Sequence, residues 1–455
     1  MIALGLLEPA APGVAPAAGA AAVVGLPAAA GVCPGAAVAG AGVGAAPVVG
    51  GEVGATAVPG LQAARSPDAA TSAPRRRSTA RRPMRNAVSV SLDRIEALRR
   101  LRNMCRYATR WAMRRGVILG IAALLGVLAL WHPARVAVQT LLLLPALFPS
   151  APLDPLALLA GPTRETRTAA YAAGTVDSLI FHPALGGRHG AIILLLGAGD
   201  LPRSDLAVHF AEALARLGVV TMLPESSGML AERLSFDEVD AIRVSIEAVR
   251  GEADVDTSRL GLVGLSASGG LALVAAAQPD LRDEIRFVNS FGSYSDADSL
   301  LVDVASRSIR LDSTVMAWQP EPRTLEVVAN SLTDAGVAPQ QREELVGGTT
   351  RDRATQIVDG FSRDVRDRLA RVSPVPRLRD IRAHVYLMHD RDDTFIPFTE
   401  SRDLVAQAPA GLVVRYTEFS IFAHVIPDRP VPWQTFVPDV WRLFWHVHAV
   451  LLELL

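Results

Sequence analysis

The sequence contains no lysine, only two cysteines and few aromatic residues. All 45 basic residues are arginines, and aromatic residues make up 5% of the 455 positions. Cys33 and Cys105 both lie before the region with regular patterning, so neither a disulfide framework nor a cysteine-ligated zinc site can stabilise a core there. The chain is 50% hydrophobic and 20% charged, which excludes a protein disordered over its whole length. It is long enough for at least one sizeable core held together by apolar packing.

The first part of the chain has low sequence complexity. Residues 1 to about 64 are short repeats of Ala, Gly, Val and Pro with only Glu8 and Glu52 as charged residues, and they have no helical or alternating pattern that could bury one face. We therefore expect 1–87 to be a low-complexity disordered segment. It lacks the basic start, compact apolar core and cleavage site of a signal peptide. Met84, just before the first patterned residues, is an alternative start of the chain.

A basic helix is predicted over 88–115, followed by an apolar span over 116–134. Residues 65–115 contain 15 arginines against three acidic residues. The next 19 residues are uncharged apart from a histidine. As a helix they would cover roughly 28 Å, about the thickness of the bilayer core. A buried core helix or a surface-lying signal anchor is the alternative, but Trp131 at one end and the arginines at the other favour a transmembrane helix. Residues 135–164 are then a linker.

The arginine excess also predicts topology and partners. Because it lies on the N-terminal side of the span, the positive-inside rule places the N-terminus in the cytoplasm and the rest of the chain outside. The lipid bilayer is an expected partner, since anionic headgroups attract a basic juxtamembrane helix. An arginine belt also suits nucleic acid, but only Tyr107 and Trp111 offer rings for base stacking there. We expect no nucleic-acid partner.

The pattern changes over 165–455 to short apolar runs that alternate with amphipathic stretches. This alternation predicts the α/β class, a mostly parallel sheet flanked by helices. Strands are expected at 191–197, 218–224, 259–265, 285–291 and 384–390. The stretch between the first two reads as a helix that Ser204 caps and Gly218 ends.

The sharpest chemical signal is "LGLVGLSASGG", a buried strand that runs through Ser266 into a helix of small residues. A nucleophilic serine on a strained strand-to-helix turn needs small neighbours, because strand and helix must approach closely. Gly264 satisfies this requirement, whereas Ser268 occupies the position that closes the G-x-S-x-G motif. Ser268 is a rival nucleophile, but the turn would then begin inside the helix. A glycine-rich turn without catalysis is the other interpretation.

An acid and a histidine follow in the order expected for a catalytic triad. Asp393 comes just after a predicted strand, and His424 lies in the loop after the next one. His424 would act as general base on Ser266, and Asp393 would hold the imidazole in the required tautomer. The competing acids and histidines are Asp390, Asp392, His389, His446 and His448.

Acyl transfer also requires two backbone donors for the developing oxyanion. One follows from the turn itself, the N–H of Ala267. The other is expected in the loop after the first predicted strand, "LLLGAGD", where Ala198 is the candidate and Gly199 the reserve.

These segments resemble the α/β-hydrolase superfamily, and within it the dienelactone-hydrolase-like and esterase branch. The resemblance covers about 165–455 and rests on "LLLGAGD", "VDTSRLGLVGLSASGG", "HDRDDTFIPFTESR" and "FAHV", in that order. It implies the α/β-hydrolase fold. The sequence departs from the pattern at Leu196, where relatives often have His, at Ser268 in place of Gly, and at Asp390 in place of Gly. Dienelactone hydrolases use a cysteine nucleophile, so Ser266 implies a serine esterase.

Some ninety residues separate the fourth and fifth predicted strands, too many for a structureless crossover. Helical periodicity within them predicts a helical cap over about 298–378 that shapes the substrate pocket; an insertion that only covers the sheet edge is the alternative.

The sequence thus predicts a membrane-anchored serine hydrolase that cleaves a small-molecule carboxylic ester through an acyl-enzyme. No metal or organic cofactor is implied. Two alternatives stay open: a catalytically silent α/β-hydrolase fold that serves as a membrane-tethered binding module, and a peptidase or amidase on the same scaffold.

Overall fold

The computed structural model describes residues 85–148, 153–198, 204–422, 424–426 and 430–455. The predicted low-complexity segment lies outside these residues except at 85–87, which already belong to a helix. Gly199, the reserve oxyanion donor, also lies outside them.

An eight-stranded sheet forms the centre of the fold. Its strands are β1 Thr163–Tyr171, β2 Gly174–His182, β3 His189–Leu195, β4 Val220–Ser226, β5 Val255–Leu265, β6 Phe287–Phe291, β7 His384–Asp390 and β8 Val413–Phe419. Their order in space is β1-β2-β4-β3-β5-β6-β7-β8. β2 pairs antiparallel with β1 and β4, and all other neighbours are parallel.

Helices cover both faces of the sheet. They are α2 His132–Leu143, α3 Asp205–Arg216, α4 Ser227–Leu230, α5 Asp237–Arg250, α6 Ala267–Ala276, α12 Phe398–Gln407 and α13 Trp433–Leu451. Consecutive side chains of β3 point to opposite faces of the sheet. Ile193 packs with α5 and α6 on one face, and Ile192 and Leu194 pack with α3 and α13 on the other. A parallel strand covered on both faces needs apolar residues on both, which is why β3 is a continuous apolar run.

An insertion stands between β6 and β7. Its helices are α7 Ala297–Ser306, α8 Pro322–Asp334, α9 Pro339–Gly347, α10 Arg351–Asp359 and α11 Arg363–Val372, and a hairpin of Ser308–Leu311 and Thr314–Ala317 joins the first two. Three of the helices begin at a Ser, Thr or Asp whose side chain accepts a hydrogen bond from the backbone of the first turn: Asp296, Thr350 and Ser362. The insertion contributes apolar side chains such as Val328, Leu332 and Leu369 to the same core cluster as α5 and α6.

The N-terminal arm differs from the sequence prediction. A helix α1 spans Arg85–Leu130, and the chain then breaks at Trp131 before α2 begins. The expected span 116–134 is therefore not continuous, because Pro133 in the first turn of α2 cannot continue a preceding helix. Among the described residues, no single helix is long and apolar enough to cross a membrane; Arg94–Val127 and His132–Leu147 meet the length and composition requirement only as a pair bent by 95°.

The segment expected as a linker, 135–164, contains secondary structure and buried side chains in its described parts, 135–148 and 153–164. Val136 and Leu143 of α2 are buried in the core cluster that contains α3 and α13. Short 3₁₀ turns follow at Leu144–Leu147 and Pro155–Leu158, and β1 begins at Thr163. The folded domain thus includes α2 and extends upstream of residue 165.

The strands predicted from apolar runs are all present, with ends displaced by up to four residues. β1 and β2 were not predicted. β1 is an edge strand whose residues are mostly exposed and polar, so it carries no apolar run that a pattern could detect.

Candidate active site

Ser266 sits between β5 and α6 in a backbone conformation that few residues adopt. Its φ and ψ are 59° and −138°, and its N–H donates to the carbonyl of Phe291 at 2.8 Å. Such strain persists only where the surrounding structure enforces it, and it is concentrated at functional sites. A Cβ at Gly264 would lie 2.5 Å from the carbonyl oxygen of Ser268, and one at Gly269 would lie 2.5 Å from Ser290 Oγ. The two glycines let strand and helix meet and so hold Ser266 at the sheet edge.

Ser268, the rival candidate for the nucleophile, does not lie on the strained turn; it supports the loop after β3. It is buried, and its Oγ accepts a hydrogen bond from the N–H of Gly197 at 3.1 Å. Gly197 has φ +77°, and a Cβ there would lie 3.2 Å from the Cβ of Ser266. The serine that departs from the G-x-S-x-G motif therefore fixes the loop after β3 beside Ser266, while Gly269 takes over the close approach expected of the missing glycine.

Asp393 and His424 form a buried hydrogen-bonded pair. His424 Nδ1 lies 2.6 Å from Asp393 Oδ2, and the exposed fractions of the two residues are 7% and 2%. Asp393 follows β7 by three residues, and His424 follows β8 in a left-handed conformation with φ 69°. Gly292 makes room for the pair, since a Cβ at that residue would lie 3.3 Å from both Nδ1 of His424 and Oδ2 of Asp393.

Asp393 is held ionised by its neighbours. Burial alone would raise the pKa of this carboxyl, but the nearby charge of His424 and hydrogen bonds from His389 and His424 outweigh burial and lower it. Its second oxygen, Oδ1, accepts the N–H groups of Phe395 and Ile396 at 2.7 and 3.0 Å. An ionised, fully paired carboxylate in this position orients the imidazole and stabilises its charged form.

The competing acid beside Asp393 has a structural role. Asp390 is buried and accepts the N–H groups of Asp392 and Phe422 at 2.9 and 2.8 Å. Burial raises the pKa of Asp390 to about 6. Through its two hydrogen bonds, Asp390 joins the loop after β7 to the loop that carries His424. Asp392 is exposed.

The competing histidines lie elsewhere or support the pair. His389 is fully buried beneath Asp393, with its Nδ1 2.7 Å from Ser401 Oγ and its Nε2 2.9 Å from the carbonyl of Ile396. His446 lies between Thr417 and Asn289, and burial lowers its pKa to about 3. His448 approaches the carbonyl of Pro133. None of these three lines the cavity that contains Ser266 and His424.

Ser266 and His424 face the same cavity of about 240 Å³. The Nε2 of His424 is buried and has no hydrogen-bond partner among the described residues, although the imidazole stacks on Phe395 with ring centroids 4.6 Å apart. Ser266 and His424 are thus not hydrogen-bonded to each other in the structure. Hydrogen bonds between a nucleophile and its base are often long and tighten when substrate binds.

The cavity is lined almost entirely by apolar side chains. The sheet side contributes Leu196, Ile396 and Val425, and the insertion contributes Leu300, Leu301, Val327, Val328, Leu332, Leu369 and Val372. A pocket with apolar walls and one polar cluster is typical of a small-molecule site.

The two residues predicted to supply oxyanion donors, Ala267 and Ala198, both line this cavity beside Ser266. Ala267 opens α6, where backbone N–H groups have no partner within the helix. Arg323 of α8 donates to the carbonyl of Ala198 at 3.2 Å and pairs with Glu232 at 2.8 Å. The insertion therefore fixes the loop of Ala198 as well as lining the cavity, a contact that sequence reasoning missed.

The insertion is also bonded to the loop that carries Asp393. Trp318 Nε1 donates to the carbonyl of Asp393 at 2.8 Å, and Thr324 Oγ1 donates to the carbonyl of Phe395 at 3.1 Å. The N–H of Glu321 donates to the carbonyl of Thr394 at 2.8 Å. These bonds connect the segment before α8 and its first turn to the loop after β7.

One group among the described residues has metal-ligand geometry, Glu165 with His182 and Glu252. Glu165 lies on the edge strand β1, His182 ends β2 and Glu252 follows α5, and Arg167 already pairs with both glutamates. A guanidinium in that position opposes a cation.

The strand order, the strained serine after β5, the acid after β7 and the histidine after β8 decide the fold. The chain has the α/β-hydrolase fold.

Among solved structures, this chain is similar to a 2,6-dihydroxy-pseudo-oxynicotine hydrolase, with 17% identity over 64% of this chain and 68% of that one and a TM-score of 0.42. It is similar to an acylaminoacyl peptidase of Pyrococcus horikoshii, with 13% identity over 64% of this chain and 40% of that one and a TM-score of 0.39. It is also similar to a dienelactone hydrolase of Anabaena variabilis, with 13% identity over 65% of this chain and all of that one and a TM-score of 0.39. The match spans less than half of the peptidase. No protein-family model and no curated protein sequence matches the chain.

Proposed function

We propose that this chain is a serine hydrolase that cleaves a carboxylic ester through a covalent acyl-enzyme at Ser266. The observation that carries the proposal is the buried Asp393–His424 pair, whose imidazole lines the same cavity as Ser266 on its strained turn. The apolar walls suit an ester with an apolar acyl or alcohol group better than a peptide, whose backbone N–H and C=O groups need hydrogen-bond partners.

The proposed reaction uses these groups in two steps. His424 Nε2 takes the proton of Ser266 Oγ as the oxygen attacks the ester carbonyl carbon, and the N–H groups of Ala267 and Ala198 bind the resulting oxyanion. His424 then gives its proton to the departing alcohol, which leaves an acyl group on Ser266. Water, deprotonated by His424, releases the carboxylic acid by the reverse sequence. Asp393 stays ionised throughout and keeps Nδ1 protonated.

Labelling with a fluorophosphonate tests the nucleophile, because this reagent reacts with an activated serine. We expect the full-length wild type to be labelled, Ser266→Ala to show no labelling, and Ser268→Ala to be labelled more slowly because its loop contact with Gly197 is lost. If a folded wild type is not labelled, the chain is a binding module on the hydrolase fold. If Ser268→Ala alone abolishes labelling, the nucleophile is misassigned.

We also propose that the protein is anchored in a membrane, with the N-terminus cytoplasmic and the catalytic domain on the other side. The arginine-rich part of α1 and the apolar residues after it support this. So does an exposed aromatic stripe on α13, where Trp433, Trp441 and Trp445 are 72%, 61% and 38% exposed. Tryptophans favour the membrane interface, and α13 packs against α2, which follows the proposed anchor. A reporter fused to the C-terminus that gives a cytoplasmic signal overturns this topology.

A further inference from the structure

A second apolar cavity lies beside the first. Its volume is about 170 Å³, and its walls come from the 3₁₀ turn after α2, from α3, from α13 and from the strand ends. Its lining includes Ala146, Leu147, Leu206, Ala207, Phe210 and Val447, and no charged side chain. We call it the second chamber.

The polar groups in the second chamber are already bonded. The oxygen of the Asn289 side chain faces His446 Nε2 at 2.8 Å, and Ser204 Oγ accepts the N–H of Ala207 at 3.4 Å. A ligand that enters the chamber therefore meets apolar surface, which favours a hydrocarbon group over a polar one.

The two cavities share part of their walls. Leu196, Val425 and Ile426 line both of them. Val425 and Ile426 directly follow His424, and Leu196 directly precedes the loop of Ala198. The boundary between the chambers is thus formed by side chains beside the general base and the oxyanion loop, close to where the acyl and alcohol parts of an ester would diverge.

We propose that the second chamber binds the hydrocarbon chain of a long-chain aliphatic ester, which passes between Leu196 and the pair Val425 and Ile426. The inference rests on the proposed esterase function and adds its substrate class. Each methylene removed from water raises affinity about threefold to fourfold, so a chain that reaches the second chamber is selected over a short one.

A chain-length series tests the passage. We would measure kcat/KM of the full chain in detergent for p-nitrophenyl acetate, hexanoate and decanoate. The wild type should prefer decanoate. Ala207→Phe puts a ring into the second chamber and should lower the decanoate-to-acetate ratio about tenfold. Ala157→Phe is the matched control, because Ala157 is exposed in the 3₁₀ turn Pro155–Leu158 and lines neither chamber.

The outcomes separate this inference from the proposed function. If the wild type hydrolyses none of the esters and is not labelled by a fluorophosphonate, the proposed function fails. If it hydrolyses esters and folded Ala207→Phe keeps the wild-type ratio, the three shared residues form a closed partition and the inference is wrong. Val447→Phe on α13 repeats the test from another element should Ala207→Phe not fold, and an unchanged ratio there overturns the inference equally.

Discussion

The carboxyl edge of the sheet and the insertion line the same cavity, but they contribute different kinds of side chain. Ser266, Asp393 and His424 follow the sheet strands β5, β7 and β8. The insertion supplies mostly aliphatic side chains to the same cavity and none of these three groups. The sheet therefore determines which reaction is possible, and the insertion determines which molecule fits. The exception is Arg323, an insertion residue that holds the oxyanion loop.

Asp393 differs in pKa from other buried carboxyls, both beside it and at the base of the insertion. Its own pKa is lowered because its paired histidines outweigh its burial. Burial raises the pKa of Asp390, also at the sheet edge, to about 6. At the base of the insertion, burial raises the pKa of Asp298 and Asp303 to about 6 and that of Glu400 to about 7. The neighbours of Asp393 thus make it the easiest of these carboxyls to ionise.

The largest expected effect is the loss of kcat when Asp393, at the sheet edge, is replaced. Asp393→Asn should lower kcat about 10⁴-fold, because the amide no longer selects the imidazole tautomer that leaves Nε2 free to accept a proton. Ester hydrolysis by the purified full chain measures it. The exposed neighbour Asp392→Asn is the control and should stay within a few-fold of wild type. A loss below tenfold in Asp393→Asn would remove this residue from the triad.

The next effect tests whether the insertion takes part in the chemistry. Arg323→Ala should lower kcat about tenfold with little change in KM, since a loosened oxyanion loop weakens an interaction made in the transition state. Arg342→Ala removes an arginine of the same insertion that bonds only Thr333 and should leave both constants near wild type. A rise in KM alone would show that Arg323 acts on substrate binding instead.

The smallest effect concerns stability at the base of the insertion. Glu400 is buried and bonded to Ser295 and Ser299, and its raised pKa means that the folded state binds a proton the unfolded state releases. Between the unfolded pKa near 4.5 and about 7, this group lowers stability as pH rises. Urea unfolding should therefore show that the free energy of unfolding of Glu400→Gln rises relative to that of wild type between pH 5 and pH 8.

Glu418→Gln provides the opposite case. Although burial opposes it, hydrogen bonds from Arg402, Tyr416 and Arg391 lower the pKa of Glu418 to about 2, so its stabilising contribution is complete above the unfolded value near 4.5. The stability difference between Glu418→Gln and wild type should then be the same at pH 5 and pH 8. A Glu400→Gln variant that behaves in this way would contradict the assigned pKa.

The sequence predicted the strands that are apolar runs, and Ser266 and Asp393 each follow such a run. His424 follows β8, whose residues are partly exposed and polar. The sequence did not predict β1, whose exposed edge position removes the apolar signal. Pro133 indicates the helix break at Trp131, but the apolar composition of 116–134 led to the prediction of an unbroken helix.

The remaining features depend on distances between remote parts of the chain. The bond from Gly197 to Ser268 joins residues 71 positions apart, and that from Arg323 to Ala198 joins residues 125 apart. No local pattern encodes these contacts. The second chamber likewise lies between elements that are distant in the sequence, so no local pattern predicts it.

The packing of α2 on the domain has a mechanical consequence. Val136 and Leu143 are buried, and Pro133 is held by His448, so little slack separates α1 from the folded domain. In the membrane-anchored protein that we propose, the folded domain would therefore follow its anchor almost directly. An ester dissolved in the bilayer would then reach the enzyme by diffusion in two dimensions, and the surface density of the substrate would be the concentration that governs the rate.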